Sequence, residues 1–187
     1  MCKFKLKNKE FEVSEAIMSL SFSKDETSKN KLLLCLDIEM EEQWIDNAWW
    51  SPRLYHEDGF KVKINSWKEL EGLTSTWDSK YNENDEEAGC LYVFENEDIT
   101  SGKIKILERQ DNNFKLRWTG KGNVYWDDEY SEDVPFELEC LANFSGIYIG
   151  RSALSDEELN LELSKLINID EFSLVHDKNF IKYVPIF

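Results

Sequence analysis

Apolar side chains recur at every second position through most of this chain. In KLLLCLDIEM, Leu32, Leu34, Leu36, Ile38 and Met40 fall on one face, while Asp37 and Glu39 fall on the other. Just before it, Met18, Leu20 and Phe22 alternate with Ser19, Ser21 and Ser23. A strand turns successive side chains to opposite faces, so a period of two marks a strand with one buried face. The polar stretch KDETSKN between the two runs makes them a long antiparallel hairpin. Phe60, Val62 and Ile64 alternate with Lys61 and Lys63, and LYVF at 91–94, KIKIL at 103–107 and FKLRW at 114–118 continue the pattern. Asp111-Asn112-Asn113 separates the last two with residues that bend the chain and tolerate left-handed backbone. Phe136, Leu138 and Cys140 open another strand, Ile147 and Ile149 mark a further one, and a terminal strand is expected over 179–186.

The period changes after Leu154. Ser155 and Glu158 form a capping box, in which the serine oxygen accepts a backbone N–H and the glutamate reaches back. Leu154 and Leu159 flank it as a hydrophobic staple, and Leu159, Leu163, Leu166 and Ile167 form a stripe at helical spacing. The spacing predicts a helix over 155–168, packed on the sheet. SWKELEGL repeats the capping pattern at Ser66 and predicts a shorter helical turn that Gly72 ends. The polar, acidic and aperiodic TWDSKYNENDEEA at 76–88 reads as a loop. No repeat or low-complexity linker divides the chain. The expected fold is therefore mainly β (α+β): one domain over 1–187, a single-domain antiparallel β-sandwich-like fold that is β-rich through 1–150. One C-terminal helix and the terminal strand pack on it. Strands of uneven length favour a sandwich over a barrel.

Composition narrows the function more than the fold. A chain of 187 residues with 41% hydrophobic content has enough apolar surface for a core, and 13% aromatic content argues against disorder. The 38 acids against 22 bases leave a net charge of −16. Such a field repels nucleic acid and anionic membrane, speeds encounter with basic partners, and also serves solubility.

The four cysteines, Cys2, Cys35, Cys90 and Cys140, contain no C-x-x-C pair, which argues against a zinc site. Cys140 follows Phe136 and Leu138 at period two, and Cys90 begins a row with Tyr92 and Phe94, so both read as reduced core thiols. A cytoplasmic location is expected, because MCKFKLKNKEFEV has no apolar h-region and no apolar run approaches a membrane span. The alternative for Cys2 is the lipidated first residue of a trimmed lipoprotein.

Catalytic signals are weak. His56 in YHEDGF and His176 in LVHDKN lie beside no G-x-S-x-G elbow and read as surface or loop-stabilising residues. The 8 glycines form no phosphate-cradling pattern. Paired carboxylates can hydrolyse glycosides, but with 38 acids their proximity carries no information. WDDEYSED is rich in possible calcium ligands yet lacks the D-x-[DN]-x-[DN]-G order. No enzymatic activity, cofactor or metal is expected.

LRWTGKGNVYWDDEYSEDVPFELE, residues 116–139, stands apart. It sets Trp118, Tyr125, Trp126 and Tyr130 beside Asp127, Asp128, Glu129, Glu132 and Asp133. Its first half continues a strand face of Phe114, Leu116 and Trp118. Gly120-Lys121-Gly122-Asn123 then makes a turn, and Val124-Tyr125-Trp126 is read as the returning strand. The acids gather in the connection before Pro135, where exposure is almost forced. These aromatic and acidic residues are the candidate partner-binding set. Adjacent Trp49 and Trp50 must point to opposite faces if extended, so at least one is exposed or covered by a loop.

The arrangement W-x-G…YW…PF in WTGKGNVYWDDEYSEDVPFELE, within a small and very acidic chain, resembles the immunity proteins of bacterial polymorphic-toxin and contact-dependent growth inhibition systems. The resemblance implies tight binding of a cognate toxin domain and a block of its active site or substrate entry. Immunity proteins have many unrelated folds, so it assigns no residue a role. A nuclease toxin is basic because it binds phosphates, and an acidic surface can occupy that groove. The alternative on the same aromatics is a carbohydrate-binding or calcium-dependent binding module. Blocking by charge requires acids that cluster in space. At least two of the runs 39–42, 85–87 and 127–133 are expected to line one end or edge of the fold, with Trp126 or Tyr130 between them.

Overall fold

The computed structural model describes residues 2–24, 29–56, 59–80, 88–125, 130–150, 154–177 and 180–186. The period-two runs form the strands. The long hairpin is β2 (Lys9–Lys24) and β3 (Asn30–Met40), preceded by the short β1 (Lys3–Leu6). A small separate hairpin follows, β4 (Gln43–Ile45) and β5 (Ala48–Trp50), and then β6 (Arg53–Tyr55) and β7 (Phe60–Val62). Next come β8 (Thr74–Trp77), β9 (Cys90–Tyr92), β10 (Asn96–Gln110) and β11 (Asn113–Gly122). The last are β12 (Val134–Gly150), β13 (Phe172–His176) and β14 (Ile181–Pro185). The architecture is mainly β, with one α-helix, α1 (Asp156–Leu163), among the described residues.

Pairing runs β1-β2-β3-β6-β9-β10-β11-β12, and β12 pairs in turn with β1, so the sheet closes on itself. β1 fills only the first part of that seam. Further along, β2 lies directly beside β12 in parallel, from Ile17 opposite Asn143 to Ser21 opposite Tyr148. The two layers expected of a sandwich-like fold thus enclose one core but are joined at both edges. Short strands make this possible: β6 and β9 bridge the long β3 and β10, so unequal lengths do not leave the sheet open.

Inside lie Trp50, Trp67, Trp118, Phe4, Phe11, Phe114 and Phe144, each at most 1% exposed. The rings of Trp67 and Phe144 stack at 5.2 Å with only 4° between their planes. Aromatic pairs at such separations add to the burial of their large apolar area.

Several elements depart from the sequence reading. Residues 136–140 and 147–149 belong to one continuous strand, β12, rather than two. It turns at Gly146 (φ 117), where a Cβ would collide with the Tyr183 carbonyl of β14. Thr74–Trp77 is a strand paired with β10, so the segment read as loop begins inside an element; residues 81–87 lie outside the described set. The Ser155 capping box is present, but α1 ends at Leu163 instead of 168. Leu159, Leu163 and Ile167 still face the core, the last from the turn beyond the helix. The Ser66 turn forms as a 3-10 helix over Trp67–Leu70, with the serine oxygen accepting from the Lys68 N–H.

The described part of the 116–139 stretch is also rearranged. Gly120 and Gly122 are not a turn; they extend β11, opposite Phe136 and Val134 of β12. Their missing side chains are used, since a Cβ on Gly120 would press on the Ser101 carbonyl and the Phe136 ring. The chain returns along β11 from Val134, not from Val124.

Candidate functional site

QWIDNAWW folds as a hairpin because Asp46 (φ 50) and Asn47 (φ 64) both adopt left-handed backbone, the geometry of the two-residue turns that suit strand twist. Trp44 lies opposite Trp49, and both project outward, 58% and 61% exposed. Their rings meet edge to face at 5.4 Å and 68°. Trp50, one residue on, points the other way and is fully buried. Its indole N–H donates to the Ile45 carbonyl at 3.1 Å, its ring stacks on Phe11, and Phe94 and Tyr130 meet it edge-on at 5.1 and 5.4 Å. Gln43 donates to the Glu10 carbonyl, and Lys9 pairs with Asp46 at 2.5 Å. The two exposed indoles therefore stand on a hairpin pinned from beneath.

Residues 123–125 and 130–133 lie against the same foundation. Val124 is buried and donates its N–H to the Ser131 carbonyl at 2.8 Å, which turns Tyr125 outward to 57% exposure. Asn123 accepts from the Asp133 N–H, and Asp133 accepts from the Thr100 hydroxyl at 2.5 Å. Tyr130 is only 3% exposed; its hydroxyl donates to Asn8, and Lys7 and Lys9 lie over its ring. Trp118 is fully buried against Trp77 and Phe136. Of the candidate residues, then, Tyr125, Glu132 and Asp133 reach solvent, whereas Trp118 and Tyr130 belong to the core and offer no surface to a partner. Strand alternation places Trp118 on the same inward row as Phe114 and Leu116, and Tyr130 fills the space beside Trp50. Trp126, Asp127, Asp128 and Glu129 lie outside the described residues.

Acids surround Tyr125. It borders a small cavity of about 60 Å³ whose rim includes Phe94, Glu95 and Glu97. The Glu97 carboxyl is pushed above its ordinary pKa, first by burial and then by Glu95 and Asp98. The Tyr125 phenol is pushed up by desolvation first, then by Glu132, Glu97 and Asp98. Desolvation is the larger cause of both shifts, and the neighbouring carboxylates add to it. Phe94 touches this cavity on one side and Trp50 on the other, so the tryptophan hairpin and the acidic surface share a foundation. Glu41 and Glu42 are exposed immediately before β4, which pairs with β5. Tyr130, expected between two acidic runs, is buried, and residues 85–87 and 127–129 are outside the described set.

Trp44, Glu95 and Glu97 were absent from the candidate set read in the sequence. The signal for Trp44 was available: Asp46-Asn47 as a two-residue turn sets it opposite Trp49. The Glu97 environment had no comparable signal, because it depends on how β9, β10 and residues 123–125 and 130–133 meet.

Other features exclude more than they suggest. A cleft of about 360 Å³ between Glu39, Arg53, Tyr55, Tyr92 and Asn96 contains an arginine. That arginine is held by both oxygens of Asp37, at 2.7 and 2.5 Å, with Glu39 at 3.5 Å. A guanidinium so neutralised does not make an anion site. His56, read as a surface or loop residue, is 3% exposed and packed edge-on against Phe60 and Trp77. His176 is exposed, with Nε2 3.1 Å from Asp156. Among the described residues, no group of three or more His, Cys, Asp or Glu side chains is gathered closely enough to hold a metal ion. No described helix is long and apolar enough to cross a membrane. Comparison with protein-family models, with curated proteins and with solved structures finds no match to this chain.

Proposed function

We propose that this chain is an acidic, non-enzymatic binding protein of the cytoplasm, an immunity protein that binds a basic toxin domain and blocks its active site or substrate entry. The observation that carries the reading is the pair of exposed indoles, Trp44 and Trp49, on a hairpin anchored by Trp50 beside the carboxylates around Tyr125. Large aromatic rings supply most of the binding energy in protein interfaces, and acids around them steer a basic partner and select it by charge. Lysine and arginine side chains of such a partner also find cation–π faces on the indoles.

Co-expression tests the reading. With a basic toxin domain encoded beside its gene, this protein should restore growth, and the purified pair should associate at a rate that falls as salt rises. Absence of both protection and binding would remove it. A second reading, a carbohydrate- or calcium-dependent sugar-binding module, draws on the same exposed indoles. At 68° to one another they present no common plane, so a sugar ring stacks on one of them at most. Binding on a glycan array, with or without calcium, would favour that module instead.

A further inference from the structure

Cys2 and Cys140 lie one step beyond the last β1–β12 pair of the seam where the sheet closes. In β1 and β12, Lys3 lies opposite Glu139 and Phe4 opposite Leu138, so one step back sets Cys2 opposite Cys140. Hydrogen-bond alternation defines the kind of pair. The Lys7 N–H donates to the Pro135 carbonyl at 2.9 Å, which makes that position, and by alternation Lys5/Glu137 and Lys3/Glu139, the hydrogen-bonded ones. Cys2 turns its carbonyl the other way, accepting from the Val13 N–H of β2 at 3.3 Å. Continued one step past the end of the ladder, this alternation gives Cys2 and Cys140 the place of a non-hydrogen-bonded antiparallel pair, in which the Cα atoms come to about 4.5 Å and the side chains are closest. That separation falls within the range of about 4.4–6.8 Å that a disulfide spans.

The two side chains also share a face. Phe4, Leu6, Phe136 and Leu138, at alternate positions of the same strands, all point into the core. Cys140 is 2% exposed and Cys2 partly so. The Cys2 sulfur accepts from the N–H of Leu141, the residue next to Cys140, at 3.3 Å. Burial, and then the neighbouring Cys2, push the Cys140 thiol well above its ordinary pKa.

We propose that Cys2 and Cys140 are a redox pair that closes into a cross-strand disulfide when a peroxide oxidises the protein. The more accessible Cys2 thiolate attacks the peroxide oxygen; hydrogen peroxide is reduced to water and Cys2 becomes a sulfenic acid. The Cys140 sulfur then attacks the Cys2 sulfur, and the sulfenic oxygen leaves as water with the Cys140 proton. Two thiols and one peroxide give one disulfide and two waters. High local concentration of the facing thiol offsets the small thiolate fraction of Cys140. The bond would close the N-terminal strand onto β12 and shorten the set of unfolded conformations through a very long loop.

Titrating the native protein with hydrogen peroxide, then alkylating under denaturing conditions and mapping peptides, tests this. The expected result is loss of two of the four free thiols, a Cys2–Cys140 linked peptide, and reversal by dithiothreitol. The thermal midpoint should rise on the order of 10 °C on oxidation, and Cys2→Ser or Cys2→Ala should abolish both the link and the rise. A Cys140 that stays fully alkylatable while Cys2 overoxidises would overturn the proposal. So would a link from either cysteine to Cys35 or Cys90, or formation of the Cys2–Cys140 link only after unfolding.

Discussion

Trp49 and Trp50 are neighbours in the chain, yet one is 61% exposed and the other fully buried. Trp50→Ala should therefore cost about 3–5 kcal/mol, because it empties the contact between Phe11, Phe94 and Tyr130. Trp49→Ala and Trp44→Ala should each change stability by less than about 1 kcal/mol while weakening partner binding at least about tenfold. Urea unfolding beside titration calorimetry separates the two effects, and comparable losses of stability in all three variants would refute the assignment. Glu97 adds a prediction in pH. Burial raises its pKa in the folded state, so its folded carboxyl holds a proton that the unfolded one has lost. The resulting stability is present below the unfolded pKa and is lost as pH rises through the raised folded value. Glu97→Gln should reduce that decline and raise the urea midpoint at neutral pH; an unaltered pH profile would count against it. At this scale the exposed half of the tryptophan pair was implied by alternation, but alternation also made Trp118 a core residue, and no local pattern revealed that Tyr130 would fill the space beside Trp50.

Among the elements, α1 was the most legible, since its start is written in local chemistry. Ser155 accepts from the Glu158 N–H at 3.3 Å and the Glu158 carboxylate accepts from the Ser155 N–H at 2.8 Å. Ser155→Ala should cost about 1 kcal/mol at neutral pH, read from thermal or urea unfolding. Backbone and then hydroxyl hydrogen bonds from Ser155 hold the Glu158 carboxyl below its ordinary pKa. That contribution is present above the unfolded pKa and is lost as pH falls through the lowered folded value; Ser155→Ala keeps the backbone N–H and removes only the hydroxyl's share, so the gap between the two proteins should narrow in part in acid. The end of the helix was less legible, because Leu166 and Ile167 keep the helical spacing although the chain has already left the helix at Leu163. In β12, Gly146→Ala should destabilise by a few kcal/mol, through both its positive φ and the approach of the Tyr183 backbone. A wild-type unfolding midpoint in that variant would show that β14 yields easily.

For the whole molecule, the net charge of −16 predicts a kinetic effect. Replacing Glu95 and Glu132 by glutamine should slow association with a basic partner at low salt and flatten its salt dependence, with little change in dissociation. Stopped-flow rates across ionic strength check this, and an unchanged low-salt rate would place the steering field elsewhere. The same charge explains why composition pointed to a basic partner but could not locate the contact. Charge is a sum over the chain, whereas a binding surface depends on which carboxylates the folded sheet brings together.

Residue order by itself determined the longer alternating strands, their inward faces and the α1 cap, because alternation and capping act over a few neighbouring residues. Register extended that reach: once β1 is known to pair with β12, the facing of Cys2 and Cys140 follows by counting. Which strands pair was decided only in the tertiary structure. Sheet closure, the merging of two expected strands into β12, and the burial of Trp118 and Tyr130 arise from contacts between segments far apart in the chain. So does the meeting of the Trp44/Trp49 hairpin with the acids around Tyr125 on one foundation. A period of two says which face of a strand is apolar; it says nothing about what that face will meet.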